Sequence, residues 1–219
     1  MKYVLFILTL SFSTIYALQV QGVAVHANTP AYTEMRTYDT HQSIDFTSKY
    51  LDHNNALFAT KEAIFRDSRW QPEIRLNDIR QKIELSVTIV NKIVSTLFIF
   101  QNDTTRYSRS VSKDLVWDAG MHYWIIDNWD SLATQKQLQL FVPEKNTVLT
   151  MTAKRVHNGS YHIITITPGS FLVRLFLDPI TIKYSNEKEI VHYHGISDIK
   201  SIEGDNYTVK ISYQTFEEE

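Results

Sequence analysis

The chain has 219 residues, with 22 lysines and arginines against 24 aspartates and glutamates, so its formal net charge is −2 with the histidines neutral. That balance lacks the clustered basic excess that a nucleic-acid binder needs to neutralise phosphates, and 43% hydrophobic with 21% charged residues belongs to a chain that buries a core, not to a disordered one. The absence of cysteine excludes disulfides, thiolate metal sites and cysteine nucleophiles.

Met1-Lys2 is a short basic start, and an almost unbroken apolar run follows over residues 3–18. This is the pattern of a secretory signal peptide. The run falls short of the roughly 20 apolar residues that a spanning helix needs. Small residues offer cleavage after Ala17 or Ala27, and Ala27 is favoured because residues 19–26 carry no strong pattern of their own. The expectation is a signal peptide over residues 1–27 and one globular β-rich domain over residues 28–219. Secretion without disulfides fits a bacterial periplasm, with a sizeable core in place of crosslinks.

Strand signals then dominate, read as alternation with β-branched and aromatic enrichment. They cover residues 43–50, 57–65, 83–90, 93–100 and 105–112, with polar turns between them. They resume at residues 138–142, 147–156, 161–167, 180–184, 189–193 and 207–213. Asn158-Gly159 is the strongest hairpin signal, because both residues tolerate positive φ. The connections are too short for parallel crossovers, so the sheet should be mainly antiparallel. Residues 118–135 break the alternation. Met121, Trp124, Ile125 and Leu132 follow helical spacing, Asp118 suits an N-cap and Lys136 the opposite end. A shorter helical pattern covers residues 170–176. The expected fold class is α+β and β-dominated: a curved, half-barrel-like, mainly antiparallel sheet packed on one long amphipathic helix.

Leu115-Val116-Trp117-Asp118-Ala119-Gly120, followed by Asn128-Trp129-Asp130-Ser131-Leu132, resembles a motif of uncharacterised secreted proteins of Gram-negative bacteria. Phe141-Val142-Pro143, Asp178-Pro179-Ile180 and the pair Tyr193-His194-Gly195-Ile196-Ser197-Asp198-Ile199 and Tyr207-Thr208-Val209-Lys210-Ile211 extend the resemblance. Ala59-Thr60-Lys61, Pro72 and Asp78-Ile79-Arg80 extend it into the first half. The chain departs from the pattern at Gln81 and Lys82, where a glycine-containing turn is usual. The resemblance implies a bacterial envelope protein of unknown function. The terminal hairpin is also similar to that of periplasmic lipoprotein carriers, in which an open sheet covers a helix.

Candidate chemistry is sparse. His192 and His194 share a strand face and could reach one metal, but no spacing names a third ligand. Asp127 and Asp130 stand three apart on the helical pattern, where they are more simply solvated charges. Lys61, Asp78, Arg80, Asp118 and Asp130 are candidates for a polar network, since buried charges must be paired. Trp124 and Trp129 are the candidate ligand-binding residues. No nucleophile elbow, phosphate loop or dinucleotide fingerprint occurs, so no catalytic residue and no cofactor is expected. Asn102, Asn158 and Asn206 match the glycosylation pattern but read as turn residues. The functional expectation is a non-catalytic periplasmic protein that binds a lipid, another hydrophobic ligand or an envelope component between sheet and helix. The alternatives are a structural or interaction protein of the envelope with a protein partner, and a metal-dependent hydrolase.

Overall fold

The computed structural model describes residues 18–38, 43–175 and 177–217. The strands are β1 (Leu18–His26), β2 (Thr29–Tyr38), β3 (Phe46–Leu51), β4 (Leu57–Ile64), β5 (Glu73–Asp78), β6 (Ile83–Val90), β7 (Ile93–Phe100), β8 (Asp103–Ser110) and β9 (Leu115–Val116). After the helix α1 (Gly120–Asp127) come β10 (Lys136–Val142), β11 (Thr147–Asn158), β12 (Tyr161–Pro168), a short helix α2 (Phe171–Arg174), β13 (Ile180–Tyr184), β14 (Ile190–Ile196) and β15 (Thr208–Glu217).

All 15 strands belong to one sheet, in the order β8-β7-β6-β5-β4-β3-β2-β1-β15-β14-β13-β12-β11-β10-β9. Every pairing is antiparallel except β9 with β10. Tight turns make this possible. Ala27 and Asn28 both have positive φ, as do Asn91 and Lys92, which is the backbone that two-residue hairpins require. Period-two burial shows on β3, where Phe46, Ser48 and Tyr50 are buried and Thr47 and Lys49 are exposed. Because the turns alternate, those after β1, β3, β5, β7, β10, β12 and β14 all lie at one end of the sheet.

The sheet curls until its two margins meet. One core cluster joins Phe46, Ala63, Ile74, Val87 and Val94 of β3 to β7 with Leu115, Trp117 and Phe141 from the opposite margin. The Arg109 guanidinium of β8 lies over the Phe141 ring of β10 at 5.3 Å. A strap from the β4–β5 loop crosses the gap. The Gln71 side-chain amide donates to the Ser112 and Leu115 carbonyls, both at 2.8 Å, and the Trp117 indole donates to the Pro72 carbonyl at 2.8 Å.

Two sequence expectations need correction. Among the described residues the fold is mostly β, without a long amphipathic helix: α1 has eight residues. It stops because Asn128, Ser131 and Thr134 turn their side chains on the local backbone. The Asn128 amide donates to the Trp124 carbonyl, the Ser131 hydroxyl to Asn128 and the Thr134 hydroxyl to Ser131. Residues Ser131–Ala133 form a 3-10 turn, and Lys136 already begins β10. Nor is Asp118 the N-cap. Ala119 holds that position, with no side-chain cap bond, while Asp118 has φ 51°.

Residues 1–17 of the expected signal peptide lie outside the described residues. The expected boundary at Ala27 falls on the β1–β2 turn, and Leu18–His26 form β1, bonded to β15 on one side and β2 on the other.

Candidate binding site

The hollow of the sheet is occupied by α1 and the turn after it. Trp124, Ile125, Trp129 and Leu132 pack directly on Leu138, Met151, Ile164, Ile166, Ile180, Ile182 and Tyr184 of β10 to β13. Trp124 and Trp129, the residues expected to bind a ligand, are therefore core residues, 4% and 7% exposed. The Trp129 ring meets Tyr184 edge-on at 5.4 Å, and Arg155 and Lys188 lie over it. Burial of an indole covers roughly 150–250 Å², so this pair alone fastens the helical segment to the sheet.

A lysine pins the same segment from the other side. Lys61 Nζ of β4 lies 2.7 Å from Asp118 Oδ1 and 2.6 Å from Asp198 Oδ2. Asp118 precedes α1, and Asp198 belongs to the β14–β15 loop, so one ammonium ties sheet wall, inner helix and loop together. Burial opposes the Lys61 charge, but the two carboxylates outweigh it and hold the group above the ordinary lysine range. Burial raises the Asp118 carboxyl above its usual range; Lys61 opposes that shift and Asp198 adds to it. The left-handed turn at Asp118 lets its carboxylate also accept the Ala119 amide, at 2.6 Å. An ammonium so held is a poor nucleophile or base, so the arrangement fixes position and does not supply chemistry.

The β14–β15 loop closes this end of the sheet. The Arg80 guanidinium donates to the Lys200 carbonyl at 2.7 Å and lies 3.9 Å over the Phe58 ring. The Gln81 amide donates to the carbonyls of Ser201 and Ile202. Asp78 Oδ1 accepts the backbone amides of Arg80 and Gln81, which shapes the turn that carries both side chains.

A second buried set lies on β2, β3 and β15. Glu34 accepts from Arg36 at 2.9 Å and from the Ser48 hydroxyl at 2.7 Å, and the Tyr213 hydroxyl donates to its other oxygen at 3.3 Å. Burial disfavours the Glu34 charge, but Arg36 and Ser48 outweigh it and hold the carboxyl below its ordinary range. Gly22 makes room for this set, since a Cβ there would stand 2.6 Å from the Tyr213 ring. On α1, His122 Nδ1 lies 3.1 Å from the Tyr184 hydroxyl. Burial, with Arg36 and Arg69 nearby, pushes the imidazole down to about 4.

The opposite end is open. Beside the β4–β5 loop and the end of α1 lies a depression of about 640 Å³. Ile44, Phe65 and Trp70 give it apolar walls, and Arg66, Arg69, Lys113, Asp67, Asp114 and Asp127 line it with both charges. Arg66 bonds Glu73 at 2.9 Å. Asp127 accepts the Trp70 indole at 2.7 Å and lies 3.4 Å from Arg69. Lys113 is exposed, with no ion-pair partner among the described residues.

Of the expected polar network, Lys61 and Asp118 come together. Asp78 and Arg80 form a separate clamp on the loop, with 3.9 Å between Asp78 Oδ2 and Arg80 Nη2. Asp130 joins neither: its side chain is exposed, and its carbonyl accepts the Ala133 amide. His192 and His194 sit exposed on β14, His192 against the Ser212 hydroxyl, and no cluster of three metal-ligating side chains occurs among the described residues. Sequence reasoning missed the site roles of Asp198, Glu34, Gln71 and Trp70. Asp198 and Lys61 are 137 positions apart, and no local spacing joins them.

No family model matches the sequence, and no curated protein matches it. Among solved structures the chain is similar to the crystal structure of a β-barrel-like protein of a domain of unknown function, DUF1849, from Brucella abortus, with TM-score 0.45 and 5% identity over 94% of this chain and 99% of that one.

Proposed function

We propose that this chain is a non-catalytic binding protein of the bacterial cell envelope that holds an amphiphile in the open depression between the β4–β5 loop and the end of α1. The observation that carries the reading is the pairing of Phe65 and Trp70 with Lys113, which has no ion-pair partner among the described residues, in one open depression. Protein side chains fill the space under α1 on the β10–β13 side, so the ligand belongs in the open depression beside the end of α1. The aromatic walls would take the apolar part and Lys113 an anionic head. The envelope setting is supported by the basic start and the apolar run.

Titration with 1-anilinonaphthalene-8-sulfonate, an aromatic sulfonate, tests this. Saturable one-site binding is expected, with quenching of Trp70, which is less buried than Trp117, Trp124 and Trp129. Phe65→Ser and Lys113→Glu should each weaken it by about tenfold. Binding that neither variant changes would overturn the proposal.

A further inference from the structure

We infer that the tip formed by α2 docks on the surface of an anionic phospholipid membrane. This inference concerns the end of the sheet opposite the open depression and does not rest on the ligand proposed there. Phe171, Leu172 and Leu175 are 72%, 68% and 60% exposed. Single exposed apolar side chains are ordinary, but a contiguous set marks a surface that something covers.

The shape of the tip selects its occupant. These three side chains are exposed over most of their surface on one short tip, so a protein partner would have to supply a pocket for all of them. Acyl chains close around such side chains without one. Helical bonds engage the later amides of the tip, which leaves no extended edge for strand pairing. The Arg174 amide donates to Ser170, the Leu175 amide to Leu172 and the Leu177 amide to Val173. Arg174 is the only charged side chain within α2, and the exposed Asp178 follows four residues later, past Leu177. Arg174 is exposed, and its Nε donates to the Pro168 carbonyl at 2.7 Å, which leaves the terminal nitrogens for a phosphate.

The stem is tied to the sheet. The Gly169 amide donates to the Thr150 carbonyl at 2.8 Å, and only Gly169 and Ser170 separate β12 from α2. A four-residue helix is far too short to cross a bilayer, but it matches the depth of roughly 5–10 Å reached by interfacial segments. The same end carries exposed Ile79 and Ile202 on two loops bonded through Gln81. The membrane-facing surface is therefore the end closed by the β14–β15 loop, with the open depression turned away from it.

Flotation of the protein with vesicles of phosphatidylethanolamine and phosphatidylglycerol tests this. The protein should float with these vesicles and less with pure phosphatidylcholine. Phe171→Ser and Leu172→Ser should each lower partitioning by about tenfold. Arg174→Gln should lower it by about fivefold on the anionic vesicles and leave the neutral ones unchanged. All three positions are exposed, so the melting temperature should hold, and the anilinonaphthalene-sulfonate titration should be unchanged by them. Lys113→Glu, which tests the depression, should leave flotation intact. No flotation of the parent protein, or equal flotation of the Phe171→Ser/Leu172→Ser double variant, would overturn the inference. So would a dimer by light scattering that this double variant dissociates, because the tip would then be covered by a second copy.

Discussion

Lys61 and Asp118 are both shielded from water, and each makes the other's charge tolerable. Removing one partner strands the other, which is the costly direction for a buried pair. Lys61→Met should therefore destabilise the fold by about 3–5 kcal/mol in urea denaturation. The Lys61→Met/Asp118→Asn double variant should recover part of that loss, because asparagine suits the left-handed turn and the carboxylate still without its lysine, Asp198, is 57% exposed to water. His122 gives the pH dependence. Its folded value of about 4 lies below the ordinary 6.5, so the unfolded chain binds the proton more readily. The stability of the neutral imidazole is fully present above about pH 6.5 and is lost as the pH falls through about 4. His122→Gln should flatten the stability curve across that window by at most about 3 kcal/mol, read from urea midpoints at each pH.

The helix α1 is held by what its first residue lacks. A Cβ on Gly120 would stand 2.0 Å from the Trp70 carbonyl oxygen and 2.4 Å from its carbon. Backbone cannot swing aside as a side chain can, so Gly120→Ala must push the helix or the strap away. It should cost about 3 kcal/mol in thermal unfolding and shift Trp70 fluorescence. Gly159 has open space around it, and Gly159→Ala there should cost only about 1 kcal/mol, from its φ of +63°. The elements themselves were unevenly legible. β6, β7 and β13 have the bounds read from the sequence: β6 and β13 alternate, and β7 is an apolar run set off by clear turns. β9 was invisible because two residues carry no period. β1 was hidden by its resemblance to the end of a signal peptide. The helix was drawn too long because Trp129 and Leu132 keep its spacing through a turn that Asn128 and Ser131 have already broken. Of the candidate site, Lys61 and Asp118 were legible as charges needing partners, whereas Asp198 and the aromatic depression depend on closing the sheet.

Across the whole molecule, β1 bridges two wings. Its bonds to β2 on one side and β15 on the other hold the β2–β8 and β9–β15 halves together. A chain beginning at Leu18 should fold to a β-rich, protease-resistant protein. One beginning at Asn28 should not, because β2 and β15 would each lose a neighbour and Ala24 would leave the core it shares with Tyr32 and Ile211. Circular dichroism of the two chains decides this, and with it whether processing after Ala17 or after Ala27 is compatible with the fold.

The strand order has a simple geometric meaning. Joined from Glu217 to Leu18 and opened between β8 and β9, the chain would run β9 through β15 and then β1 through β8, each strand beside its successor. The natural connectivity is thus a plain zigzag whose starting point has been moved to the middle. Its single long-range pairing between neighbours, β1 with β15, waits for the last strand to be synthesised. A circularly permuted chain would replace that late clasp with one more local hairpin, and it should fold faster to the same end state.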